Sequence, residues 1–362
     1  MLESFDIVSS SGKYKVNIGR DLLRDRLNCG KEDVCLVDDR LSYLISSDNF
    51  ILIPIIVSEN SKSLDALSPV IQKMRQGGAG RSSRIVAVGG GVLQDIATII
   101  ASLYMRGIVW EYLPTTLLGM VDSCIGGKSS INIYDYKNLI GNVYPPEQIN
   151  IDINFLGTLS DGQIVDGLCE AVKICYAKSI GDFYEFFEIA STVGVGIGNI
   201  AGVITKCLKL KKWFIEIDEF DHNERLLLNF GHTFGHALES ATKFQISHGV
   251  AVGIGMVVAK EYAVQQGLLS PAGVGHATSL GGYVEGLIKT LPHIAVHLRN
   301  IDYFTIIEKF ANDKKHKPDQ YRVILPQGDG ALRMLGIPRT AEGHANILAA
   351  FRATTAHLAS IY

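Results

Sequence analysis

The sequence predicts an α/β Rossmann-like N-terminal domain, residues 1–160, followed by a mostly α-helical domain, residues 161–362. Three observations carry this. Short β-branched runs alternate with helix-like segments through the first domain. One of those runs ends in three successive glycines, Gly89-Gly90-Gly91. Beyond Asp161 the apolar spacing becomes that of long amphipathic helices.

The strand-like runs are Tyr14–Ile18, Val34–Val37, Ile51–Ile55 and Ile85–Val88. Val34–Val37, Ile51–Ile55 and Ile85–Val88 are short and nearly continuously apolar, the pattern of a parallel strand covered on both faces. Helical periodicity then marks Val165–Ser179, Ile200–Trp213 and Val250–Gln265. The boundary is read at Thr158-Leu159-Ser160, and the Gly- and Val-rich stretch Ala190–Gly202 reads as a connection between helices.

Composition narrows the function. A net charge of −3 gives no general attraction to nucleic acid or to a membrane surface, so an anionic ligand needs a local basic cluster. The six cysteines form no CxxC pair and read as reduced thiols of a cytoplasmic protein. Cys124 and Cys169 lie inside motifs but read as small buried hydrophobes. The acidic start Met1–Asp6 runs into a strand pattern, so no secretory leader is expected. No apolar run reaches the roughly 18 residues that span a bilayer.

Chemistry concentrates in a few motifs. In Asn229–His236, His232 and His236 stand four apart and share a helix face, with His248 a short turn away. Three imidazoles converging with a carboxylate can hold a divalent ion, and a Gly flanks each histidine. Glu170 and Lys173 stand three apart on an otherwise apolar helix. Such spacing commonly marks a surface ion pair, but apolar neighbours imply burial, which requires a partner or a metal. Glu170 is therefore the expected carboxylate ligand.

The strand Ile85–Val88 enters three glycines and a helix carrying Asp95, a turn that suits a pyrophosphate. A plain tight turn is the alternative. Asp38 at the end of an earlier strand reads either as a ribose-hydroxyl acceptor or as a surface turn. Arg106, Thr115, Thr116, Asp122, Lys128, Lys137 and Asn138 cluster among glycines and hydroxyls, as in a phosphate pocket. Lys211 and Arg225 are candidates for clamping a carboxylate. Asp313-Lys314-Lys315 by itself reads as a solvated charge run.

Taken in order, these motifs resemble the sugar-phosphate cyclase superfamily and, within it, the 3-dehydroquinate synthase family. The match runs from about Asp38 to Lys315. The resemblance implies NAD as cofactor, a divalent metal (Zn²⁺ or Co²⁺), and a homodimer. It implies metal ligands Glu170, His232 and His248, and moves His236 to the substrate phosphate with Lys128, Asn138, Arg106 and Lys314. Lys211, Arg225 and Asn229 would hold a carboxylate, while Asp122, Lys137 and Lys173 would meet the ring hydroxyls and reacting carbons. Asp38, Glu59, Lys62, Gly90, Gly91, Val92, Asp95, Thr115, Thr116, Lys128, Lys137, Phe155 and Thr158 would form the NAD site. The implied reaction is transient oxidation of a heptulosonate 7-phosphate, phosphate elimination, re-reduction and internal aldol closure. No nucleic-acid or membrane partner is implied.

The chain departs from the expected pattern at Gln94, Ser129-Ser130, Tyr136 and Ser160–Gln163. Arg225 and Asn229 favour a carboxylate-bearing substrate. Related alternatives are an aminodehydroquinate synthase or a sedoheptulose 7-phosphate cyclase. A different class is a metal- and NAD-dependent alcohol dehydrogenase of the glycerol dehydrogenase type, which would not need Lys128, Lys137-Asn138 and Lys211 together.

Overall fold

The computed structural model of the chain describes residues 2–27, 30–46, 49–134, 136–191 and 199–361. The connection expected at Ala190–Gly202 falls largely outside these residues, as does Cys29. The described chain packs as two compact units.

The first unit contains β1 (Glu3–Ser9), β2 (Gly12–Gly19), α1 (Leu22–Arg26), β3 (Val34–Asp38), β4 (Ile51–Ile55), α2 (Leu64–Gln76), β5 (Ile85–Gly89), α3 (Gly91–Leu103) and β6 (Trp110–Pro114). The hairpin β7 (Lys128–Ile133) and β8 (Tyr136–Val143) follows, then β9 (Gln148–Asp152). A seven-stranded sheet runs in the order β1-β2-β9-β6-β5-β3-β4. Its one antiparallel pair is β1–β2, and the other neighbours pair in parallel. Strands β3, β5 and β6 are buried along their whole length, as strands covered on both faces are.

A hydrogen-bonded chain crosses this sheet. Ser4 Oγ donates to Asn17 Oδ1 (2.9 Å), Asn17 Nδ2 to Asn150 Oδ1 (2.9 Å), and Asn150 Nδ2 to Glu111 Oε2 (3.3 Å). Arg84 Nη1 donates to Glu111 Oε1 (2.7 Å), and Arg84 also pairs with Asp33 (3.4 Å). Asn17, Asn150 and Glu111 are buried. Their chain joins strands that lie adjacent in the sheet, and a one-residue slip in register would strand these polar groups in the core.

The second unit begins at Ser160 and holds α4 (Asp161–Lys178) and α5 (Ile180–Ser191). The chain then returns to the first unit for α6 (Ile200–Ile217). From Phe220 the second unit resumes with α7 (His232–Ala241), α8 (His248–Gln265), α9 (Pro271–Ile288), α10 (His293–Arg299) and α11 (Tyr303–Ala311). It closes with the hairpin β10 (Gln320–Gln327) and β11 (Ala331–Pro338) and with α12 (Ala341–Ser360). This unit is mostly helical, with one antiparallel hairpin that the sequence reading did not anticipate.

The expected boundary at residue 160 assigned α6 to the helical domain; the helix instead packs in the first unit. Its apolar face covers β1 and the turn Gly119–Ser123, and its polar residues bond there: Lys212 Nζ donates to Asp6 O at 2.7 Å. Helical periodicity sets a helix's buried face but not which sheet or bundle receives it. Helix α8 is buried from Gly249 to Ala259 without interruption, which explains its lack of a polar face. Among the described residues no helix is long and apolar enough to cross a membrane.

Removing Glu111 leaves the Arg84 guanidinium and the Asn150 amide without their buried acceptor. Glu111→Ala is expected to destabilise the chain by roughly 3 kcal/mol. Ser4→Ala, at the partly exposed end of the same chain, should cost under about 1 kcal/mol. Urea-unfolding midpoints of the two variants check the contrast.

Candidate functional site

In the second unit, two helices approach α8 so closely that backbone meets backbone. A Cβ on Gly255 would lie 2.1 Å from Gly231 O, and one on Gly235 would lie 2.8 Å from Ala251 O. Gly231 also has φ +76°, a conformation that favours glycine, and it caps the start of α7. On the α4 side, a Cβ on Gly249 would lie 2.2 Å from Asp166 O, and one on Gly253 would lie 2.7 Å from Cys169 Sγ. Glycine at these positions is thus a packing requirement. It brings α4, α7 and α8 together at the point where Glu170, His232 and His248 project.

There, one imidazole nitrogen from each of His232, His236 and His248 lies within 4.8 Å of the others. Glu170 Oε1 lies 3.9 Å from His232 Nε2 and 3.6 Å from His248 Nε2. The remaining ring nitrogens are engaged. His232 Nδ1 meets Phe230 O at 3.3 Å, and His248 Nδ1 meets Glu239 Oε2 at 3.3 Å. These contacts turn both Nε2 atoms toward the same carboxylate oxygen, as hydrogen-bond partners on the far ring nitrogen of metal-binding histidines do. His236 Nδ1 instead faces Asp313 Oδ2 at 3.9 Å.

Charge in the cluster is balanced at short range. Glu170 and Lys173 are both buried and form an ion pair through Glu170 Oε2. Burial, together with Lys173 and the other two histidines, holds His232 far below the usual imidazole range, in the neutral form that a metal requires. Burial also lowers His236. Burial opposes protonation of His248 too, but Glu239 and Glu170 outweigh it and raise its pKa. Asp313 is disfavoured as an anion by burial, yet its interaction with His236 and the charge of Lys315 bring its pKa down to about 2.

Three residues the sequence reading did not single out belong to this region. Asp166 accepts from Ser247 Oγ (2.7 Å) and Val250 N (2.9 Å), which holds the first turn of α8 and so His248. Its position four before Glu170 was the available signal. Glu239 orients His248. Lys315 is lowered from the usual lysine range chiefly by burial, and its charge acts on both His232 and His236, whereas Lys314 is exposed. Arg225 is buried, with Nε 3.1 Å from Asp221 Oδ1. Asn229 shares its short helical turn (Glu224–Asn229) and donates to Leu226 O at 3.1 Å.

The first unit gathers a second cluster around the start of α3. Gly89, Gly90 and Gly91 carry β5 into that helix, and a Cβ on Gly89 would meet Leu93 Cδ2 at 2.5 Å. The free N–H groups of the helix start lie at Gly90, Gly91 and Val92. Lys62 Nζ pairs with Asp95 Oδ2 (2.7 Å) and donates to Asn138 Oδ1 (3.0 Å). Ser130 binds both partners: its N–H donates to Asp95 Oδ1 (3.0 Å) and its hydroxyl to Asn138 Oδ1 (2.7 Å). Glu59 accepts from Asn132 Nδ2 (2.7 Å), with Lys137 Nζ at 3.8 Å. Thr115 is buried beside Gly89, and Thr116 Oγ1 accepts from Gly119 N at 3.2 Å.

Lys211 belongs to this cluster. Its Nζ lies 2.6 Å from Asp122 Oδ1 and donates to Asp122 O at 2.5 Å, so it pairs with that carboxylate in the first unit while Arg225 and Asn229 belong to the second. Asp38 ends β3, but its carboxylate is taken by Arg40, through Nε (2.9 Å) and Nη2 (2.6 Å). Asp38 is also buried, unlike a residue of a surface turn. Arg106 is exposed, with a left-handed φ of +69° following Met105 at +50°. Lys128 is exposed at the start of β7. Phe155 is buried in a short helical turn, where its carbonyl accepts from Thr158 Oγ1 at 2.7 Å. Cys124, at about 12, and Cys169, also raised, are pushed above the ordinary thiol range chiefly by burial, which makes them inert packing groups.

A glycine-rich strand-to-helix turn in one unit and a histidine–glutamate cluster of metal-binding type in the other define the class of protein. The 3-dehydroquinate synthase N-terminal family profile matches residues 52–166, and the C-terminal profile matches residues 167–316. The chain belongs to the 3-dehydroquinate synthase family of enzymes. It is 33% identical over 348 residues to the 3-dehydroquinate synthase of Dictyoglomus thermophilum, covering 92% of this chain and 94% of that one. Among solved structures, 2-deoxy-scyllo-inosose synthase complexed with carbaglucose-6-phosphate, NAD⁺ and Co²⁺ matches with a TM-score of 0.83 at 22% identity, over 97% of this chain and 99% of that one. The 2-epi-5-epi-valiolone synthase of Streptomyces hygroscopicus, with NAD⁺ and Zn²⁺ bound, matches with a TM-score of 0.78 at 26% identity, over 95% and 97%.

The backbone approach of α7 to α8 yields a direct test. Gly255→Ala, whose Cβ meets Gly231 O, is expected to destabilise by about 1–3 kcal/mol. Gly282→Ala on α9, with open space around its Cβ, should be neutral or stabilising by up to about 1 kcal/mol. Calorimetric unfolding of both variants distinguishes a packing requirement from a general helix-propensity effect.

Proposed function

We propose that this chain is a 3-dehydroquinate synthase, a carbon–oxygen lyase. It would convert 3-deoxy-D-arabino-heptulosonate 7-phosphate into 3-dehydroquinate and inorganic phosphate. The observation that carries the proposal is the convergence of Glu170 Oε1 with the Nε2 atoms of His232 and His248, in a chain of this family.

The donor set fits a divalent ion such as Zn²⁺ or Co²⁺: two imidazoles and one carboxylate leave a coordination position for substrate oxygen. In this reading Glu170, His232 and His248 hold the ion, and His236, turned to Asp313, serves the phosphate. The start of α3 and its glycines suit the pyrophosphate of NAD, flanked by Glu59, Lys62, Asp95, Thr115 and Thr116. When bound, the metal supplies a Lewis acid for an alcohol oxygen and NAD⁺ a reversible hydride acceptor.

The chain's own side chains do the positioning. Arg225 and Asn229 clamp the substrate carboxylate, and a guanidinium buried beside Asp221 is already oriented for that task. Asp122 accepts from a ring hydroxyl while Lys211, 2.6 Å away, orients its carboxylate. Lys173 neutralises Glu170 from the side away from the histidines. Lys128, Asn138, His236, Arg106 and the Lys314-Lys315 pair meet the phosphate, with the half-buried Lys315 added to the expected set. Lys137 completes the hydroxyl contacts, and Phe155 and Thr158 the cofactor contacts.

Two experiments test the reading. With NAD⁺ present, the heptulosonate phosphate is expected to release inorganic phosphate without net NADH. A chelator should abolish release, and Zn²⁺ or Co²⁺ should restore it. Net NADH would point to an alcohol dehydrogenase; release from sedoheptulose 7-phosphate but not from the heptulosonate would point to a sister cyclase. Arg225→Ala is expected to cost about 2–5 kcal/mol of transition-state binding, read as a fall in kcat/KM for the heptulosonate, through loss of the carboxylate's partner. Unchanged kinetics would exclude the carboxylate role.

A further inference from the structure

Gln94 lies in the second turn of α3 and is 3% exposed. A buried primary amide is costly unless both of its ends are hydrogen-bonded. Here a single residue satisfies both: Gln94 Nε2 donates to Ser123 O at 2.7 Å, and Ser123 Oγ donates to Gln94 Oε1 at 2.7 Å. A peptide carbonyl can only accept, so the reciprocal pair also dictates which end of the amide is nitrogen. The Gln94 backbone is held as well, through its N–H to Gly90 O (3.0 Å) and its carbonyl from Thr98 Oγ1 (2.7 Å).

Ser123 ends a single π turn, Gly119–Ser123, that carries Asp122. Such turns are rare and are kept by outside contacts. Two successive carbonyls of this turn are each taken by a side chain from a different helix. Lys211 of α6 binds Asp122 O at 2.5 Å, and Gln94 of α3 binds Ser123 O at 2.7 Å. Lys211 also binds the Asp122 carboxylate at 2.6 Å. The residue after Gln94 is Asp95, which holds Lys62 and Ser130. One helix turn therefore grips both the cofactor-side network and the Asp122 turn.

We propose that Gln94 is a positioning residue: acting through Ser123, it fixes the π turn and so the aim of the Asp122–Lys211 pair. For its kinetic consequence the proposal rests on the reading that this pair contacts substrate. The clamp itself does not depend on that reading.

The variants are Gln94→Met, which keeps length and helix propensity but has no amide, and Ser123→Ala, which removes only the hydroxyl. In the ligand-free protein, amide hydrogen exchange across residues 120–124 should accelerate about tenfold or more in Gln94→Met, while α8 keeps its protection. The kcat for the heptulosonate should fall about 10- to 100-fold, with KM and the NAD⁺ dissociation constant changing less than about threefold. Ser123→Ala should fall in the same direction, and the double variant should be no worse than Gln94→Met alone. Unchanged exchange at 120–124 overturns the clamp whether or not the wild type turns over. Faster exchange with unchanged kcat, or a loss that appears equally in NAD⁺ affinity, overturns the positioning role. A wild type inactive on the heptulosonate counts against the proposed reaction, and the exchange measurement still decides the clamp. If Gln94→Met loses protection in α8 as well, Ser123→Ala carries both readouts.

Discussion

Contact between helix backbones, with no side chain between them, is the constraint on which the second unit's chemistry depends. Helices packed through ordinary side chains keep their axes about 8–10 Å apart. At Gly231, Gly235, Gly249 and Gly255 the carbonyl of one helix occupies the space a Cβ of the other would need. That approach sets the rings of His232 and His248 at 5.5 Å and brings both within 3.9 Å of one oxygen of Glu170. Interiors are close-packed and transmit displacement, so the spacing of the three ligand candidates is a property of the helix packing.

Charge burial is the second constraint. Glu170 with Lys173, Lys62 with Asp95, and Lys211 with Asp122 all join groups that are buried or largely so. An isolated buried charge is expensive, and such pairs are weak evidence of added stability. What they supply is direction. Each cation fixes the carboxylate's orientation. Asp166 and Glu239 extend the same logic to neighbours: one holds the helix start that bears His248, the other its ring.

The first unit solves a different problem. In open parallel sheets ligands bind beyond the C-terminal ends of the strands, which leaves the opposite end free to specify register. The polar chain from Ser4 through Glu111 to Asp33 does this across the sheet. At the other end, the start of α3 gathers Lys62, Asp95, Ser130 and Asn138 in one network.

The sequence by itself determined the strands β2 to β5, the helices α4, α6 and α8, and the glycine turn into α3. These are local properties: apolar period, glycine position, and spacing on one helix face. They depend on residues a few positions apart, which the chain order exposes directly. Tertiary structure alone decided that α6 packs in the first unit and that Lys211 pairs with Asp122, 89 positions away. It likewise decided that Lys315 is half-buried where Lys314 is exposed, and that Gln94 holds Ser123. Which partner a buried polar group finds depends on distant segments brought within about 3 Å, and periodicity carries no information about that distance.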